Sequence, residues 1–555
     1  MKKNHIGTFI FVALTLPLSF ILSGCRGNAG GGPVAISVLP AATVPLTVSS
    51  TSPFNNGTSI SPDAVITAKF SKAVKNLTQA TFTLSDGIRN RECTLTLDPA
   101  GIVATFVPAN PLALSTTYRA TLSSEITDLE NNPLTPLSWS FTTRDVVSWE
   151  FVDGNGENGL NYDVTKDTYF PQLTAFNSKL YAAWREMVND DFQLRVAVYN
   201  GNDKSTAWTF VDGGGKTGIN YDATQVAFDA QLTVFDARLY AIWQESTATG
   251  YQIRVAVSNG DDRSPEWRFV DGGGKTGINY NVAEGAGYPQ LTAFGSKLYA
   301  IWEEEVKGSA QQIRVAVYNG NDSAPAWTFV DGNGKTGINH DVMQDVFFPQ
   351  LTVLGSHLYA TWRESNGTAY QIRVAVYNGN DSAPAWKFID GNSANGINKD
   401  ATQDGYYPQL TALSSKLYAI WQESNGTAYQ IRVAVYNGDG KSPAWAFVDG
   451  NGAIGINKDA TKDGYNPQLT VYGSKLYATW YELTDQASQI RVAVYNGTDN
   501  SPAWAFVDGN SVKGINHDAT KDAFDPQLTV FGSRLYATWK EKSAAGHQVR
   551  AAVGR

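Results

Sequence analysis

Apolar and polar residues alternate in short runs along the first part of the chain, the pattern of β-strands with one buried face. Turn sequences such as Asn55-Asn56-Gly57 and Asn131-Asn132-Pro133 separate the runs. Short alternating strands with frequent turns in about 100 residues predict a β-sandwich over residues 46–144. The apolar positions of these runs are Ile66, Ala68 and Phe70, then Phe82 and Leu84, Cys93, Leu95 and Leu97, Tyr118, Ala120 and Leu122, and Leu137, Trp139 and Phe141.

From residue 149 onwards the pattern changes to a long repeat. A motif of about 59 residues occurs seven times in succession, and each copy opens with a tryptophan. Successive spacings are 59, 59, 60, 59, 59 and 59 residues. Such a fixed period indicates one repeat architecture. The opening residues are Trp149, Trp208, Trp267, Trp327, Trp386, Trp445 and Trp504.

Each copy contains four strand-like segments, which in the fourth copy are residues 327–331, 349–354, 357–362 and 371–377. The two-residue turn Gly355-Ser356 between the second and third segments is typical of a hairpin. Four antiparallel strands per unit are typical of a propeller blade. We therefore expect an all-β protein in which a seven-bladed β-propeller over residues 145–555 follows the sandwich.

The two ends of the repeat region predict closure of the propeller. The last copy stops at Arg555 without a following tryptophan strand, whereas residues 148–152 supply a spare one. That strand should complete the last blade and leave no free sheet edge. A solenoid would need distinct capping units at both ends, and the sequence contains none.

The N-terminus has the features of an export signal, with Lys2 and Lys3 before the mostly apolar residues 6–22. Leu22-Ser23-Gly24-Cys25 resembles the bacterial lipobox, which implies cleavage after residue 24 and lipidation of Cys25. Residues 25–45 then form a flexible tether. The resemblance implies a lipid-bilayer partner and a lipid-anchored protein of the cell envelope. If the cell is Gram-negative, it implies the outer membrane or cell surface, because Arg26 is not Asp. The alternatives are an ordinary signal peptide and an N-terminal membrane helix.

Three segments of residues 46–144 carry a second resemblance. They are Ile66-Thr67-Ala68-Lys69-Phe70-Ser71, Leu114-Ser115-Thr116-Thr117-Tyr118 and Trp139-Ser140-Phe141-Thr142-Thr143. They resemble the bacterial Ig-like domain of the S-layer protein type. That resemblance implies a spacer or adhesive accessory domain without catalysis. Cys93 occupies an apolar position of the alternation, so we expect a buried and inert thiol.

Composition narrows the classes of partner. The net charge of −9 arises from 43 basic and 52 acidic residues spread along the chain. No basic stripe is present, so a nucleic-acid partner is not expected. Two cysteines define no disulfide framework. We expect a monomer.

Residues shared by all seven copies suggest structural roles. A tryptophan ends the third segment, a glutamate follows two residues later, and an arginine lies in the fourth segment; in the fourth copy these are Trp362, Glu364 and Arg373. We expect the tryptophan to pack between blades. Antiparallel pairing should bring the glutamate and the arginine into an ion pair within the blade. The alternative is a ring of arginines that binds an anionic ligand.

The link between the first and second segments contains Asp-Gly-x-x-x-x-Gly-Ile-Asn-x-Asp and is followed by an aromatic residue. Polar side chains beside an aromatic ring can bind a sugar, so these residues are the predicted ligand site. The alternative is that Asn and Asp stabilise the turns of the link itself. The predicted site residues are Asn161, Asp163, Phe170, Asn220, Asp222, Phe228, Asn279, Tyr288, Asn339, Asp341, Phe348, Asn398, Asp400, Tyr407, Asn457, Asp459, Tyr465, Asn516, Asp518 and Phe524.

The beginning of the same link has some character of a calcium loop. Asp331-Gly332-Asn333-Gly334 is rich in oxygen donors, which Ca²⁺ requires. Lys335 nevertheless occupies a ligand position, and no glutamate closes the loop. Calcium is therefore a weak alternative to the expectation of no cofactor and no metal.

The turn before each opening tryptophan, for example Asn259-Gly260-Asp261 before Trp267, is similar to the Asp-box of sialidase-like propellers, although the spacing differs. No nucleophile elbow, phosphate-binding loop or zinc helix occurs. Nearly every candidate residue is present seven times, whereas one active site needs a few different residues to meet once. We therefore expect no catalytic residues.

These observations predict a membrane-anchored adhesion module that binds glycans or surface proteins at several equivalent sites. One alternative is a sialidase-like glycan-processing enzyme on a propeller scaffold. Another is a purely structural envelope protein.

Overall fold

The structure is a computed structural model that describes residues 44–144, 148–154, 159–188, 191–203, 205–213, 218–272, 276–332, 336–391, 395–450, 455–508 and 513–555. The signal sequence, Cys25, most of the tether, Asn333 and Lys335 lie outside these ranges. Within them, no helix has the length and apolar character needed to cross a bilayer.

Residues 46–144 form the Ig-like β-sandwich. Two four-stranded sheets pack face to face, in the orders β1-β3-β7-β6 and β2-β10-β8-β5, and β4 pairs with β9. The alternating side chains face a common core that includes Phe70, Phe82 and Trp139. Cys93 is half-buried at the margin of that core rather than enclosed, and burial raises the pKa of its thiol. The strands are β1 Val48–Ser52, β2 Gly57–Ile60, β3 Ile66–Phe70, β4 Val74–Lys75, β5 Phe82–Ser85, β6 Cys93–Leu97, β7 Val103–Pro108, β8 Thr117–Leu122, β9 Thr127–Asp128 and β10 Leu137–Thr143.

Seven four-stranded antiparallel sheets follow, as the repeat predicts. Within each blade the innermost strand forms a hairpin with the second strand, and the third strand pairs with the second. The innermost strands are β12 Thr168–Phe176, β16 Ala227–Phe235, β20 Ala286–Phe294, β24 Val346–Leu354, β28 Gly405–Leu413, β32 Gly464–Tyr472 and β36 Ala523–Phe531. The second strands are β13 Lys179–Val188, β17 Arg238–Thr247, β21 Lys297–Glu304, β25 His357–Ser365, β29 Lys416–Ser424, β33 Lys475–Glu482 and β37 Arg534–Lys542. The third strands are β14 Asp191–Tyr199, β18 Gly250–Ser258, β22 Gln312–Tyr318, β26 Tyr370–Tyr377, β30 Tyr429–Tyr436, β34 Gln489–Tyr495 and β38 His547–Gly554.

The outer strand of each blade comes from the copy that follows it in the chain. These strands are β15 Trp208–Phe210, β19 Trp267–Phe269, β23 Trp327–Phe329, β27 Trp386–Phe388, β31 Trp445–Phe447 and β35 Trp504–Phe506. The last blade takes its outer strand from the beginning of the propeller, because β11 Trp149–Phe151 pairs with β38. The register is Trp149 with Gly554 and Phe151 with Ala552. The predicted closure is therefore confirmed.

Tryptophans pack and bond the blades to one another. The second-strand tryptophans are fully buried, and Trp302 of the third blade packs with Tyr240 and Ile242 of the second blade. The outer-strand tryptophans donate from the indole nitrogen to a backbone carbonyl of the preceding blade, as Trp267 does to Val211 at 2.8 Å. The burial of seven large rings in these wedge-shaped gaps accounts for much of the packing between blades.

The Ig-like domain packs against the sixth blade at the turn between β32 and β33. The backbone amide of Leu114 donates to the Tyr472 hydroxyl at 2.8 Å, and Ser115 bonds to the Tyr477 hydroxyl. Ala113 and Leu114 also belong to the apolar cluster of the sixth and seventh blades. Gly473 lies so close to the domain that a Cβ there would be 3.0 Å from the Ser115 carbonyl oxygen. These contacts hold the domain against one end of the propeller.

Candidate functional site

The predicted asparagines connect the link to the strands of the preceding blade. In Asn398 the side-chain oxygen accepts from the Ile372 amide at 2.7 Å. Its side-chain nitrogen donates to the carbonyls of Tyr370 and Gln403 at 3.0 and 2.9 Å. All these partners are backbone groups of the protein, so the asparagine acts as a structural bridge. Similar bonds are made by Asn161, Asn220, Asn279, Asn339, Asn457 and Asn516.

The predicted aspartates stabilise the turn that follows. The Asp400 carboxylate accepts from the amide and the hydroxyl of Thr402 at 2.9 and 2.8 Å, and these bonds lower its pKa. Its backbone amide donates to Glu423 at 2.8 Å. Such bonds are the turn-stabilising role of aspartate. Equivalent carboxylates accept from the amide two residues later in Asp163, Asp222, Asp341, Asp459 and Asp518.

The glutamates and arginines that recur in every copy have partners other than those expected. Glu364 accepts from the Trp362 indole at 2.7 Å and from the backbone amide of His340 at 2.9 Å. Arg373 forms its ion pair with Asp390 at 3.0 Å, and both side chains are buried. One blade retains a longer Glu–Arg contact, with 3.7 Å between Glu482 and Arg491. Each arginine is paired with the aspartate that follows the outer strand; the pairs are Arg195–Asp212, Arg254–Asp271, Arg314–Asp331, Arg432–Asp449, Arg491–Asp508 and Arg550–Asp153.

This pairing affects the calcium alternative as well. The carboxylate of Asp331, which would start the loop, lies 2.9 Å from Arg314 and is buried. Across the described ranges, no group of three or more His, Cys, Asp or Glu side chains is arranged to hold a metal ion.

The predicted aromatic residues belong to two consecutive positions of the repeat, not to one. The register pairs Phe228, Tyr465 and Phe524 with second-strand residues. Phe170, Tyr288, Phe348 and Tyr407 lie one position later, at a bulge where the register shifts. All of them lie inside the innermost strands rather than before them.

The bulge positions of the seven blades form a ring around the propeller axis, which we call the axial ring. Every member has a positive φ, between 47° and 55°. This left-handed backbone directs the seven side chains to the mouth of one shared cavity of about 210 Å³. The next residues, mostly Pro and then Gln, line the deeper part of the cavity. The axial ring consists of Phe170, Asp229, Tyr288, Phe348, Tyr407, Asn466 and Asp525.

Around the axial ring, three of the four aromatic residues are neighbours. Tyr288, Phe348 and Tyr407 are consecutive, with ring centroids 4.6 and 4.2 Å apart. On the polar side, Asn466 donates to the Asp525 carboxylate at 2.9 Å. Asp229 completes the polar side beyond Phe170. The cavity mouth therefore has an aromatic arc of three residues, and on its other side Phe170 lies between two aspartates.

Behind the axial ring, the second strands contribute another set of seven residues, which belong to five residue types. Three of these side chains accept from the axial-ring amide of the next blade: Gln244 from Tyr288, Glu303 from Phe348 and Gln422 from Asn466, at 3.3, 3.2 and 3.0 Å. These bonds hold the unusual backbone of the ring. The set is Arg185, Gln244, Glu303, Arg363, Gln422, Tyr481 and Lys540.

The cations of this set are covered by aromatic rings. Arg363 lies 4.3–4.8 Å from the ring centroids of Phe347, Phe348, Tyr370 and Tyr406. Arg185 is surrounded in the same way by four rings at 4.5–5.0 Å. Lys540 forms an ion pair with Asp525 at 3.1 Å. Cation–π contacts hold these charges behind the axial ring rather than in the cavity.

Burial changes the protonation of the acidic groups. Desolvation raises the pKa of Asp229 to about 6, and Asp525 adds to this effect while Arg185 opposes it. Burial also raises the pKa of Glu303 to about 8, with Asp229 and Glu305 adding to it and the Phe348 amide and Arg363 opposing it. At neutral pH, Glu303 is therefore protonated, and Asp229 titrates near neutrality.

Of the predicted site residues, four lie in the axial ring, whereas the asparagines and aspartates do not. The residues predicted from the sequence did not include Asp229, Asn466, Asp525 or the second-strand set behind the ring. A signal was present, because these two positions differ among copies that are otherwise nearly identical. At these positions no residue occurs seven times, in contrast to the residues considered from the sequence.

The fold defines an Ig-like domain followed by a closed seven-bladed propeller. A family model described as a bacterial Ig-like domain matches residues 42–143. No curated protein matches the chain in sequence. Among solved structures, the chain is similar to the polysaccharide lyase Uly1, with a TM-score of 0.45, 10% identity and coverage of 69% of this chain and 89% of that chain. It is also similar to the α-L-arabinofuranosidase Arb93A from Fusarium graminearum, with a TM-score of 0.36, 14% identity and coverage of 59% and 93%. A thermostable family-43 glycoside hydrolase has a TM-score of 0.32, 13% identity and coverage of 50% and 92%.

Proposed function

We propose that this protein is a lipid-anchored protein of the cell envelope that binds one neutral carbohydrate at the axial ring of its propeller. The observation that carries the proposal is the divergence of the axial ring. Repeats that keep the same residues elsewhere differ at the seven positions that meet around one cavity. A closed ring of equivalent positions has one centre, so differences there create a single asymmetric site.

The chemistry of the mouth favours a carbohydrate. The apolar face of a sugar ring can lie on Tyr407 or Tyr288, which are 37% and 39% exposed. Its hydroxyl groups can bond to Asn466, Asp525 and Asp229 across the mouth. Ligand sites commonly combine aromatic walls with a few placed polar groups in this way.

The charges favour a neutral ligand over an ionic one. Asp525 is paired with Lys540, and Arg185 lies close enough to Asp229 to lower its pKa. Glu303 is protonated at neutral pH because burial raises its pKa to about 8. Arg363, which then has no acidic partner, is covered by four aromatic rings, so the cavity presents no uncovered positive charge to an anionic ligand.

We infer one ligand site per chain instead of the seven equivalent sites expected from the repeat. The asparagines of the links are occupied by backbone groups, as the three bonds of Asn398 illustrate. A carbohydrate would have to displace bonds that stabilise each blade. Avidity from repeated sites is thus a weaker interpretation than one axial site.

The position of the Ig-like domain supports a role at a surface. The domain contacts the propeller at the turn after Tyr472, at the end of the inner strand opposite its bulge at Asn466. The cavity mouth therefore opens on the face away from the domain. Lipidation of Cys25 would hold the protein at the cell envelope.

The test is a glycan array followed by titration calorimetry of each glycan that binds. We expect a stoichiometry of one glycan per chain. Tyr407→Ala should lower the affinity at least tenfold, roughly the effect of losing the stacking contact and the hydrogen bond of one tyrosine. Tyr221→Ala is the matched control, because Tyr221 is 45% exposed and lies outside the axial ring. Absence of any glycan ligand, or several sites indifferent to Tyr407→Ala, would refute the proposal.

Hydrolysis of the bound glycan is a second candidate function. It is favoured by the two carboxyl groups of Glu303 and Asp229, whose pKa values are raised to about 8 and about 6. One protonated and one ionised carboxyl group are what acid–base cleavage of a glycosidic bond requires. The test is the release of shorter sugars from an array ligand by wild-type protein but not by Asp229→Asn. Recovery of the intact ligand after prolonged incubation would eliminate this function.

A further inference from the structure

The third blade lacks an aromatic residue that the other six blades share. At the position just before the axial ring it has Gly287. The missing ring leaves space, because Gly287 has no side chain to cover the neighbouring second strand. The other blades have Tyr169, Phe228, Phe347, Tyr406, Tyr465 and Phe524 at this position.

That space is a chamber of about 140 Å³ beside the axial cavity. Gly287, Glu303, Glu305 and Gln311 line it, and Tyr288 borders both the chamber and the axial cavity. Gln311 replaces a second aromatic residue, since Tyr370 occupies the equivalent place in the fourth blade. Two substitutions in one blade have therefore opened a polar space next to the site.

Glu303 presents one carboxyl oxygen to this chamber. The side chain is 7% exposed, and its Oε2 accepts from the Phe348 amide at 3.2 Å. Its Oε1 has no bonding partner among the described residues and lies 3.8 Å from the place a Cβ of Gly287 would occupy. The Oε1 of Gln311 is buried without a partner among the described residues. Leaving a buried polar atom without a partner is unfavourable, so a ligand that bonds to it gains affinity.

The two unpaired atoms have complementary roles. Burial raises the pKa of Glu303 to about 8, and the other titratable groups that face it are Asp229, Glu305, Arg363 and Tyr288. At neutral pH the Oε2 of Glu303 accepts from the Phe348 amide, so Oε1 carries the proton and donates. The Oε1 of Gln311 can only accept. The chamber thus offers one donor and one acceptor.

We propose that this chamber is a subsite for the acetamido group of an N-acetylated sugar bound at the axial ring. The carbonyl oxygen of the acetamido group accepts from Glu303, its N–H donates to Gln311, and its methyl group lies against Tyr288. This inference rests on the proposed function, since the sugar ring itself lies on the aromatic arc. A group with one acceptor, one donor and no charge satisfies both unpaired atoms.

The experiment compares chitotetraose with cellotetraose, which differ in the acetamido group. We expect wild type to bind chitotetraose about tenfold more tightly, the effect of one to two hydrogen bonds. Gly287→Phe fills the chamber with the residue found in three other blades and should remove this preference. Gly287 lies in a strand without a left-handed φ, and a Cβ there meets only the flexible end of Gln244 closely, at 2.5 Å.

Two further variants keep the result interpretable. Gly287→Ala displaces Gln244 in the same way but leaves the chamber open, so it should retain the preference. Glu303→Gln keeps a donor at every pH, so its chitotetraose affinity should persist above pH 8, where that of wild type falls.

Equal affinity for the two sugars, a preference that survives Gly287→Phe, or array ligands that all lack acetamido groups would overturn the subsite and leave the axial site intact. Absence of any glycan ligand would refute both.

Discussion

The indole nitrogen of Trp149 donates to the backbone carbonyl of Val507 at 2.9 Å, although the two residues are 358 positions apart in the chain. The equivalent bond joins all six remaining pairs of neighbouring blades, for example between Trp208 and Val152 at 2.8 Å. Its presence between the first strand and the end of the sixth blade shows that the seam of the propeller has the same construction as its other joints.

Removal of this contact should weaken the closed ring. We expect Trp149→Ala to lower the free energy of unfolding of the propeller by about 3 kcal/mol, a common effect of deleting a large ring from a packed site. Urea denaturation followed by tryptophan fluorescence measures it. Glu150→Ala is the control on the same strand, because its ion pair with Arg555 is largely exposed and should contribute less than about 1 kcal/mol. Equal stability of the two variants would contradict this account of the seam.

Asn398 should be required for stability rather than for ligand binding. Asn398→Ala leaves the amide of Ile372 and two backbone carbonyls without their partners, which should cost about 3 kcal/mol. Asp400→Ala removes bonds in an exposed turn and should destabilise the protein clearly less. Denaturation curves and titration with an array ligand measure the two properties. If Asn398→Ala weakened ligand binding without changing stability, the link would be a ligand site after all.

Glu303 should make stability depend on pH in a defined direction. Its pKa in the folded protein, about 8, lies above the ordinary value of 4.5. Between these values the folded state holds a proton that the unfolded chain has released, so the free energy of unfolding falls as pH rises. The stability of Glu303→Gln relative to wild type should grow by up to about 1.4 kcal/mol per pH unit in this window and level off above pH 8.

Urea denaturation at intervals from pH 5 to pH 9 tests that dependence. Glu305→Gln is the control, since this side chain is exposed at the rim of the chamber. Parallel curves for wild type and Glu303→Gln would show that the carboxyl group is ionised in the folded protein throughout.

The Ig-like domain should separate from the propeller when a side chain is introduced at Gly473. The turn itself accepts asparagine, because Asn177 occupies the equivalent position with a φ of 48°. In the sixth blade, however, the new Cβ would overlap Thr116 and lie 3.0 Å from the carbonyl of Ser115. We expect Gly473→Asn to increase the radius of gyration in small-angle scattering while the Tm of the propeller changes little.

Gly295→Asn provides the matched control, since nothing lies within 4 Å of a Cβ at that position. Scattering profiles that are identical for Gly473→Asn, Gly295→Asn and wild type would mean that the domain is held by other contacts.

Much of the fold could be predicted from the sequence because the chain repeats itself. The spacing of the tryptophans determines seven units, and the spare strand at residues 149–151 determines where the ring closes. Strand alternation is a local property, so it is visible in any one copy. The partner of Arg373 was predicted wrongly because Asp390 lies on the far side of the outer strand, and only the packed blade brings the two together.

The sequence by itself therefore determined the architecture: an Ig-like sandwich followed by a closed wheel of seven blades. Only the tertiary structure decided which residues meet on the axis. Asp229, Tyr407 and Asp525 are far apart in the chain and become neighbours of one cavity when the ring is shut. The physical reason is that strand and repeat formation depend on local patterns, whereas an axial site depends on one residue from each blade and on the left-handed bulge that turns it inward.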